Sequence, residues 1–170
     1  MKKTLLAIAV IVSSFPAWSL DLMPSKSLPV IDGALSAGEY AWSTGGAQLR
    51  LGLALSEDGS TLFVAVEAAT SGWVSAGLGS KRMDGAHMVI GRAGLISEQD
   101  GRGHNHADSR QLRTVQSAVK TEGGKTTLEF SIPAAGYVVG GALDAIVAYG
   151  KGQGFSSMHA GKGSLRVTVK

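Results

Sequence analysis

An all-β sandwich or barrel is the fold class that the sequence predicts. Glycine occupies 24 of the 170 positions, about twice its usual share, and the glycines separate short apolar runs instead of forming a repeat. Such runs at intervals of about 8–12 residues are typical of antiparallel β proteins. A single helical turn is expected, at residues 36–41 with Ser36 as its cap.

The first 19 residues have the three parts of a secretory signal peptide. Lys2 and Lys3 give a positive start, residues 5–12 give an apolar centre, and Ala17 and Ser19 give the small-x-small pattern of a cleavage site. An apolar centre of about eight residues is too short for a membrane span, which needs roughly 20. We therefore expect residues 1–19 to be removed and the mature protein to be periplasmic or secreted.

The rest of the chain is expected to form a leader segment, residues 20–27, followed by one domain, residues 28–170, because no linker divides it. The formal net charge of +3 is partly due to Lys2 and Lys3, whose removal leaves 14 of the 16 Lys and Arg against 13 Asp and Glu. This near balance gives no basic field for nucleic acid.

Cysteine is absent from the sequence. A disulfide frame, thioether-attached c-type haem, iron–sulfur clusters, blue copper and a thiol nucleophile are therefore excluded. A metal would have to be held by His, Met, carboxylate or Lys side chains.

The strands follow from the apolar pattern. Leucines at every second position of residues 48–55, a turn at residues 56–60 and an apolar run at residues 61–67 predict a hairpin. Residues 122–125 predict a second hairpin turn. Further strands are expected at residues 72–78, 86–92, 112–120, 125–131, 144–149 and 164–169.

Met83 lies in a charged, glycine-containing turn just before an apolar run that begins near His87. Methionine usually fills a core, but a thioether at a rim is also a soft metal ligand. Four extended residues span about 13 Å, and both side chains would approach from one side. Ligands on opposite faces of one iron have donor atoms about 4 Å apart, so a trans partner for Met83 must come from elsewhere.

Two further loops carry histidine. His159 follows Met158 in a Gly/Ser-rich loop before the last strand, where a solvated loop histidine is the alternative. His104 and His106, followed by Asp108, have a spacing suited to a divalent ion, and they suit a polar surface loop as well. The chain contains no Gly-x-Ser-x-Gly, no phosphate-binding loop and no His-Glu-x-x-His, so nothing in it indicates an enzyme.

Four segments resemble, in order, the characteristic elements of a DOMON domain, and the resemblance covers residues 29–170. The sequence Val-Ile-Asp-Gly-Ala-Leu with Gly-Glu-Tyr, in residues 30–40, looks like the opening element, and residues 72–79 look like the tryptophan-containing strand. Residues 83–91 look like the Met-x-Gly-Ala segment, and residues 155–165 look like the closing segment with Phe and His.

This resemblance implies an immunoglobulin-like antiparallel β-sandwich. In the haem-binding branch of the family, which includes the cytochrome domain of cellobiose dehydrogenase, a Met and a His hold non-covalent haem b. Those positions are Met83 and His159 here. Lys81 and Arg82 are then either partners of the propionates or solvated surface charges. The family's usual Asp is replaced by His87, which is either a hydrogen-bonded, half-buried histidine or a rival ligand to the iron.

The resulting hypothesis is an exported b-type haem protein, not an enzyme, that passes single electrons to an unidentified periplasmic redox partner. Thioether ligation raises the potential of such a haem, and two protein ligands leave no open position for oxygen chemistry. One alternative is a carbohydrate-binding module of the same fold, and another is an interaction domain without a ligand. A sugar groove would have to use the aromatic residues Tyr40, Trp42, Trp73, Tyr137 and Tyr149.

Overall fold

The computed structural model describes residues 21–170, so the predicted signal peptide and its cleavage site lie outside the described residues. Within residues 21–170 the secondary structure is entirely β, and no helix is long and apolar enough to cross a bilayer. The strands are β1 Asp21–Leu22, β2 Pro24–Ser25, β3 Trp42–Gly45, β4 Leu49–Ser56, β5 Thr61–Ala68, β6 Val74–Leu78, β7 His87–Arg92, β8 Leu95–Arg102, β9 Asn105–Asp108, β10 Gln116–Glu122, β11 Lys125–Pro133, β12 Val138–Val139, β13 Ala142–Gly150 and β14 His159–Val169.

The strands form two sheets. An eight-stranded sheet has the order β1-β14-β13-β6-β7-β8-β9, with β12 paired to β13. A six-stranded sheet has the order β10-β11-β5-β4-β2, with β3 paired to β4. All pairs are antiparallel except β1–β14 and β2–β4. The predicted all-β sandwich is therefore confirmed.

The main core lies between the two sheets. On β4 the alternate residues Leu51, Leu53 and Leu55 face it, as the period-two pattern predicts. The opposite side of the same strand is also covered, because Ala54 packs with Tyr40 in a separate cluster. The largest fully buried side chains of the main core are Phe130, Leu22, Leu53, Leu62, Leu78, Leu128, Ile132 and Leu143.

The segment expected as a leader takes part in the sandwich. Asp21–Leu22 pairs with the end of β14, and Pro24–Ser25 pairs with the end of β4. Leu22 is 0% exposed and belongs to the main core. A pair of two-residue strands around a proline leaves no alternating pattern in the sequence, which is why it reads as a leader.

The structure also differs from the predicted elements elsewhere, and three of these differences bear on the candidate residues. The hairpin of β8 and β9 was not predicted, because Ser97–Asp100 reads Ser-Glu-Gln-Asp without apolar alternation. The last strand begins at His159 instead of residue 164. Residues 36–41 form a turn and no helix: Glu39 N–H donates to the Ser36 carbonyl at 3.4 Å, and Ser36 N–H donates to Glu39 Oε2 at 3.0 Å.

The Ile-Asp-Gly and Glu-Tyr elements have a structural role in this fold. Glu129 is fully buried, and its Oε2 accepts N–H groups from Asp32, Gly33 and Ala34 at 3.0, 2.7 and 3.0 Å. Tyr40 donates its hydroxyl to Oε1 of the same carboxylate. The opening segment is thereby fastened onto β11, and each oxygen of the buried carboxylate has a donor.

Candidate functional site

An apolar cluster covers the outer face of the eight-stranded sheet, on the side away from the main core. Its buried members are Trp73, Ala86, Met88 and Ile90. The half-buried residues packed against it are Met83, Ile146, Ala148 and Phe155. We call this group the outer-face cluster.

Gly77 lies beneath the outer-face cluster, where a side chain would push the neighbouring side chains apart. It pairs with Met88 on one side and with Ile146 on the other. A Cβ at this position would lie 2.7 Å from Ile146 Cγ1 and 2.9 Å from Met88 Cγ. The two larger side chains therefore meet over the glycine and form a continuous apolar surface.

Met83 borders the outer-face cluster at the end of the sheet where β7 begins. It lies in the turn between β6 and β7, where its carbonyl accepts the Ala86 N–H at 3.0 Å. The turn folds over Gly101, and a Cβ there would overlap the Met83 carbonyl oxygen. The absence of a side chain at Gly101 thus lets Met83 lie against the cluster.

His159 lies at the opposite end of the same face. It is the exposed first residue of β14 and pairs with Gly150. Gly150 donates its N–H to the Trp73 carbonyl at 2.9 Å, and Trp73 Nε1 donates to Ser157 Oγ at 2.8 Å. The loop before His159 is therefore attached to the outer-face cluster through Trp73.

Met83 and His159 are not brought together. The whole of β7, which is six residues long, separates their levels on the sheet, and six residues correspond to about 20 Å along a strand. Two donors to one iron lie about 4 Å apart. The pair borders one apolar surface from opposite ends, and ligation of one iron by both would require the turn 79–86 or the loop 151–158 to move across that surface.

His87 faces the inner side of the sheet, as Val89 does, and is only 2% exposed. Its Nε2 lies 2.9 Å from Glu98 Oε2, and its Nδ1 lies 3.0 Å from Asp100 Oδ1. Neither ring nitrogen is free for iron, so the structure gives no support to His87 as a rival ligand.

The two carboxylates around His87 favour their charged forms. The hydrogen bond from His87 is the main cause that holds the pKa of Asp100 below its usual value. Burial raises the pKa of Glu98, but hydrogen bonds from Thr114 and from the Arg113 N–H outweigh it, and the net shift is downward. Each ring nitrogen of His87 thus faces a carboxylate oxygen, which fixes the orientation of the ring.

The remaining predicted residues are exposed, except His106, which is half-buried. Lys81 and Arg82 are exposed on the Met83 turn, and within residues 21–170 neither charged group has a hydrogen-bond or ion-pair partner. His104 is exposed, and His106 bonds to Gln99. In the described part of the chain no three His, Asp or Glu side chains are grouped as a metal site would require.

Arg92 is a residue that the sequence reasoning missed. It ends β7 on the outer face, and its Cζ lies 5.6 Å from the centre of the Phe155 ring. Its Nε is buried and has no hydrogen-bond partner among residues 21–170. The available signal was an arginine at an outward position at the end of the apolar run Met-Val-Ile-Gly-Arg.

Four of the five aromatic residues proposed for a sugar groove are buried or half-buried. Tyr40, Trp73 and Tyr137 are buried, and Tyr149 is half-buried and packs against the main core. Among the side chains that the structure describes, none of the large exposed hydrophobic ones is aromatic. An exposed aromatic platform is thus missing from the described surface.

No protein-family model matches the sequence, and a search of curated proteins finds no match. Several solved structures share the fold, among them two cytochrome domains. One is the cytochrome b domain of pyranose dehydrogenase from Coprinopsis cinerea, with 11% identity, a TM-score of 0.56, and 71% of this chain and 76% of that chain covered. The other is the cytochrome domain of Myriococcum thermophilum cellobiose dehydrogenase, with 15% identity, a TM-score of 0.52, and 76% and 81% covered. The sequence resemblance is therefore confirmed at the level of the fold.

Proposed function

We propose that this chain is an exported b-type haem domain that transfers single electrons. The observation that carries the proposal is its fold, which is shared over about three quarters of the chain with two cytochrome b domains. The outer-face cluster, bordered by a thioether at Met83 and an imidazole at His159, gives that fold a surface of suitable chemistry.

The residue types fit a haem, whereas the present spacing of the two ligands does not. The outer-face cluster is apolar, and Met and His are side chains that hold haem iron. Met83 and His159 lie at opposite ends of the cluster, so haem binding by this pair must be accompanied by loop movement. The loop from Gly150 to His159 includes Gly152 and Gly154, whose backbone freedom permits such a change.

The chain's own residues would have three tasks in this function. Met83 would supply the soft thioether ligand, and His159 would supply the neutral imidazole. Trp73, Met88 and Ile90 would exclude water from the apolar surface. A bound haem iron would supply the one-electron oxidation and reduction.

The proposal is tested by expressing the full chain with ample haem and recording its absorption spectrum. We expect a sharp, reducible low-spin spectrum from the wild type. His159→Ala should lose most of the haem, while His104→Ala, an exposed histidine on another loop, should keep it. Met83→Ala should lower the potential or open a coordination position, while Met158→Ala should do neither, because Met158 is 86% exposed.

Several outcomes would contradict parts of this proposal. A wild-type protein that stays colourless would remove the haem function and leave the sugar-binding and ligand-free alternatives. A low-spin spectrum that survives His159→Ala would reject that ligand. Haem uptake without slower amide exchange in residues 79–86 or 151–158 would reject the loop movement.

A further inference from the structure

Arg92 is a half-buried cation without a partner. Alternation along β7 places it on the outer face with Met88 and Ile90, and its Nε is the buried side-chain polar atom that lacks a hydrogen bond in the described part of the chain. No ion pair to Arg92 occurs within residues 21–170. Removing a guanidinium from water without a counter-charge is costly, and an orphaned polar atom of this kind points to a missing group.

A cleft with mixed apolar and polar lining lies beside this guanidinium. Leu95 of β8 pairs with Arg92 of β7. The Phe155 ring stacks against the guanidinium of Arg92, with 5.6 Å between the ring centre and Cζ. Leu95 and Phe155 line the cleft of about 470 Å³, which also includes Ile96 and Leu112. An occupant of this cleft would meet apolar side chains together with the polar side chains of Ser97, Glu98, Asp108 and Ser109. Arg92 lies at its border, behind Phe155.

The carboxylates of the cleft do not compensate Arg92. Glu98 accepts hydrogen bonds from His87, Thr114 and the Arg113 N–H. Asp108 accepts from Ser97 and Gln99. Both acids are already used within the fold, so the guanidinium is open to an external carboxylate.

We propose that Arg92 pairs with a carboxylate of a flat apolar ligand held at Phe155. This inference rests on the proposed function, in which the ligand is haem and the carboxylate is a propionate. Arg92 thus has the role considered above for Lys81 and Arg82, which lie exposed on the turn near the other end of β7. A guanidinium is suited to this role because it donates two parallel hydrogen bonds to one carboxylate.

Metal-free protoporphyrin IX tests this pairing without any iron ligand. It carries the two propionates of haem, and its dimethyl ester carries none of their charge. We expect the wild-type chain to bind the diacid about tenfold more tightly than the ester, as a charge-assisted pair implies. Arg92→Gln should remove that preference by weakening diacid binding alone, with affinities read from porphyrin fluorescence.

Two variants control this measurement. Arg102→Gln removes an exposed arginine at the other end of β8 and should change neither affinity. Arg92→Lys keeps the positive charge but cannot donate two parallel hydrogen bonds to one carboxylate, so it should keep part of the preference for the diacid. It replaces Arg92→Gln if thermal unfolding shows the Gln variant to be unfolded.

The outcomes separate this inference from the proposed function. Equal diacid binding by the wild type and Arg92→Gln overturns the role of Arg92, whatever the haem spectrum shows. A diacid preference that depends on Arg92, in a protein without a low-spin haem spectrum, supports Arg92 and rejects the Met83–His159 pair. Failure of the wild type to bind either porphyrin overturns both.

Discussion

His87 of β7 is held by two carboxylates of β8, Glu98 and Asp100, which also bind the segment that follows β9. Glu98 Oε2 also accepts the Arg113 N–H at 2.7 Å, and Asp100 Oδ2 accepts the Ser109 hydroxyl at 2.9 Å. The segment that leaves β9 for the other sheet is therefore fastened to β8 through the same carboxylates. The histidine stabilises the crossing between the sheets, which is a structural role distinct from metal binding.

Replacing this histidine should be strongly destabilising. His87→Ala removes the imidazole from between Glu98 and Asp100, and leaving a buried, ionised carboxylate without its hydrogen-bond partner costs about 3 kcal/mol. Urea unfolding of the variant and wild type measures the difference in free energy of unfolding. His106→Ala is the matched control, since that half-buried histidine bonds only to Gln99, and its loss should be about 1 kcal/mol. A His87→Ala cost as small as that of the control would show that the network contributes little.

The turn between β6 and β7 shows how one element positions a candidate ligand. Met83 reaches the outer-face cluster because the turn lies directly on Gly101 of β8. The contact is with the Met83 backbone carbonyl, which cannot rotate away as a flexible side chain can. The position of the thioether is thus decided by a residue on the neighbouring strand.

Gly101→Ala should displace the Met83 turn. Overpacking of this kind costs about 1–3 kcal/mol, and thermal unfolding should show the loss. Gly46→Ala is the control, because a Cβ at Gly46 meets nothing within 4 Å and its φ is not positive. If haem binds, Gly101→Ala should also weaken its uptake. Unchanged stability and uptake would mean that the turn adjusts freely.

The short N-terminal strands close the sandwich as elements of both sheets. Leu22 is buried in the main core, while its neighbour Met23 is 54% exposed. Leu22→Ala should therefore cost about 2–5 kcal/mol, whereas Met23→Ala should change the free energy of unfolding by less than about 0.5 kcal/mol. Urea unfolding of the two variants makes the comparison, and equal small effects would indicate that β1 frays without consequence.

At the scale of the whole molecule, the predicted cleavage site after Ser19 agrees with the position of β1 in the fold. Cleavage after Ser19 would leave β1, which begins at Asp21, intact. Cleavage a few residues later would remove a strand and the buried Leu22 side chain. The export proposal thus requires a processing site within a narrow part of the chain.

We therefore expect the exported protein to begin at Leu20. Mass spectrometry of periplasmic or secreted material measures this directly. An intact Met1 in that fraction would contradict the signal peptide, and a start beyond Leu22 would contradict the role of β1 in the mature fold.

The sequence alone determined the features that depend on neighbouring residues. Alternating leucines predicted β4 because a strand places every second side chain on one face, and the lack of cysteine excluded thiol-based chemistry without any structure. The apolar run after Met83 predicted β7. The β8–β9 hairpin was missed, since its polar residues carry no periodic signal.

Only the tertiary structure decided which distant residues meet. Glu129 lies almost a hundred positions from the Asp32 and Gly33 N–H groups that it accepts, and nothing local indicates the pairing. The sequence resemblance joined Met83 to His159, but the register of β7 with its neighbours holds them at opposite ends of one face. The same register leaves Arg92 unpaired beside Phe155. The register of a sheet is decided by many cross-strand contacts together, so no single stretch of sequence can specify it.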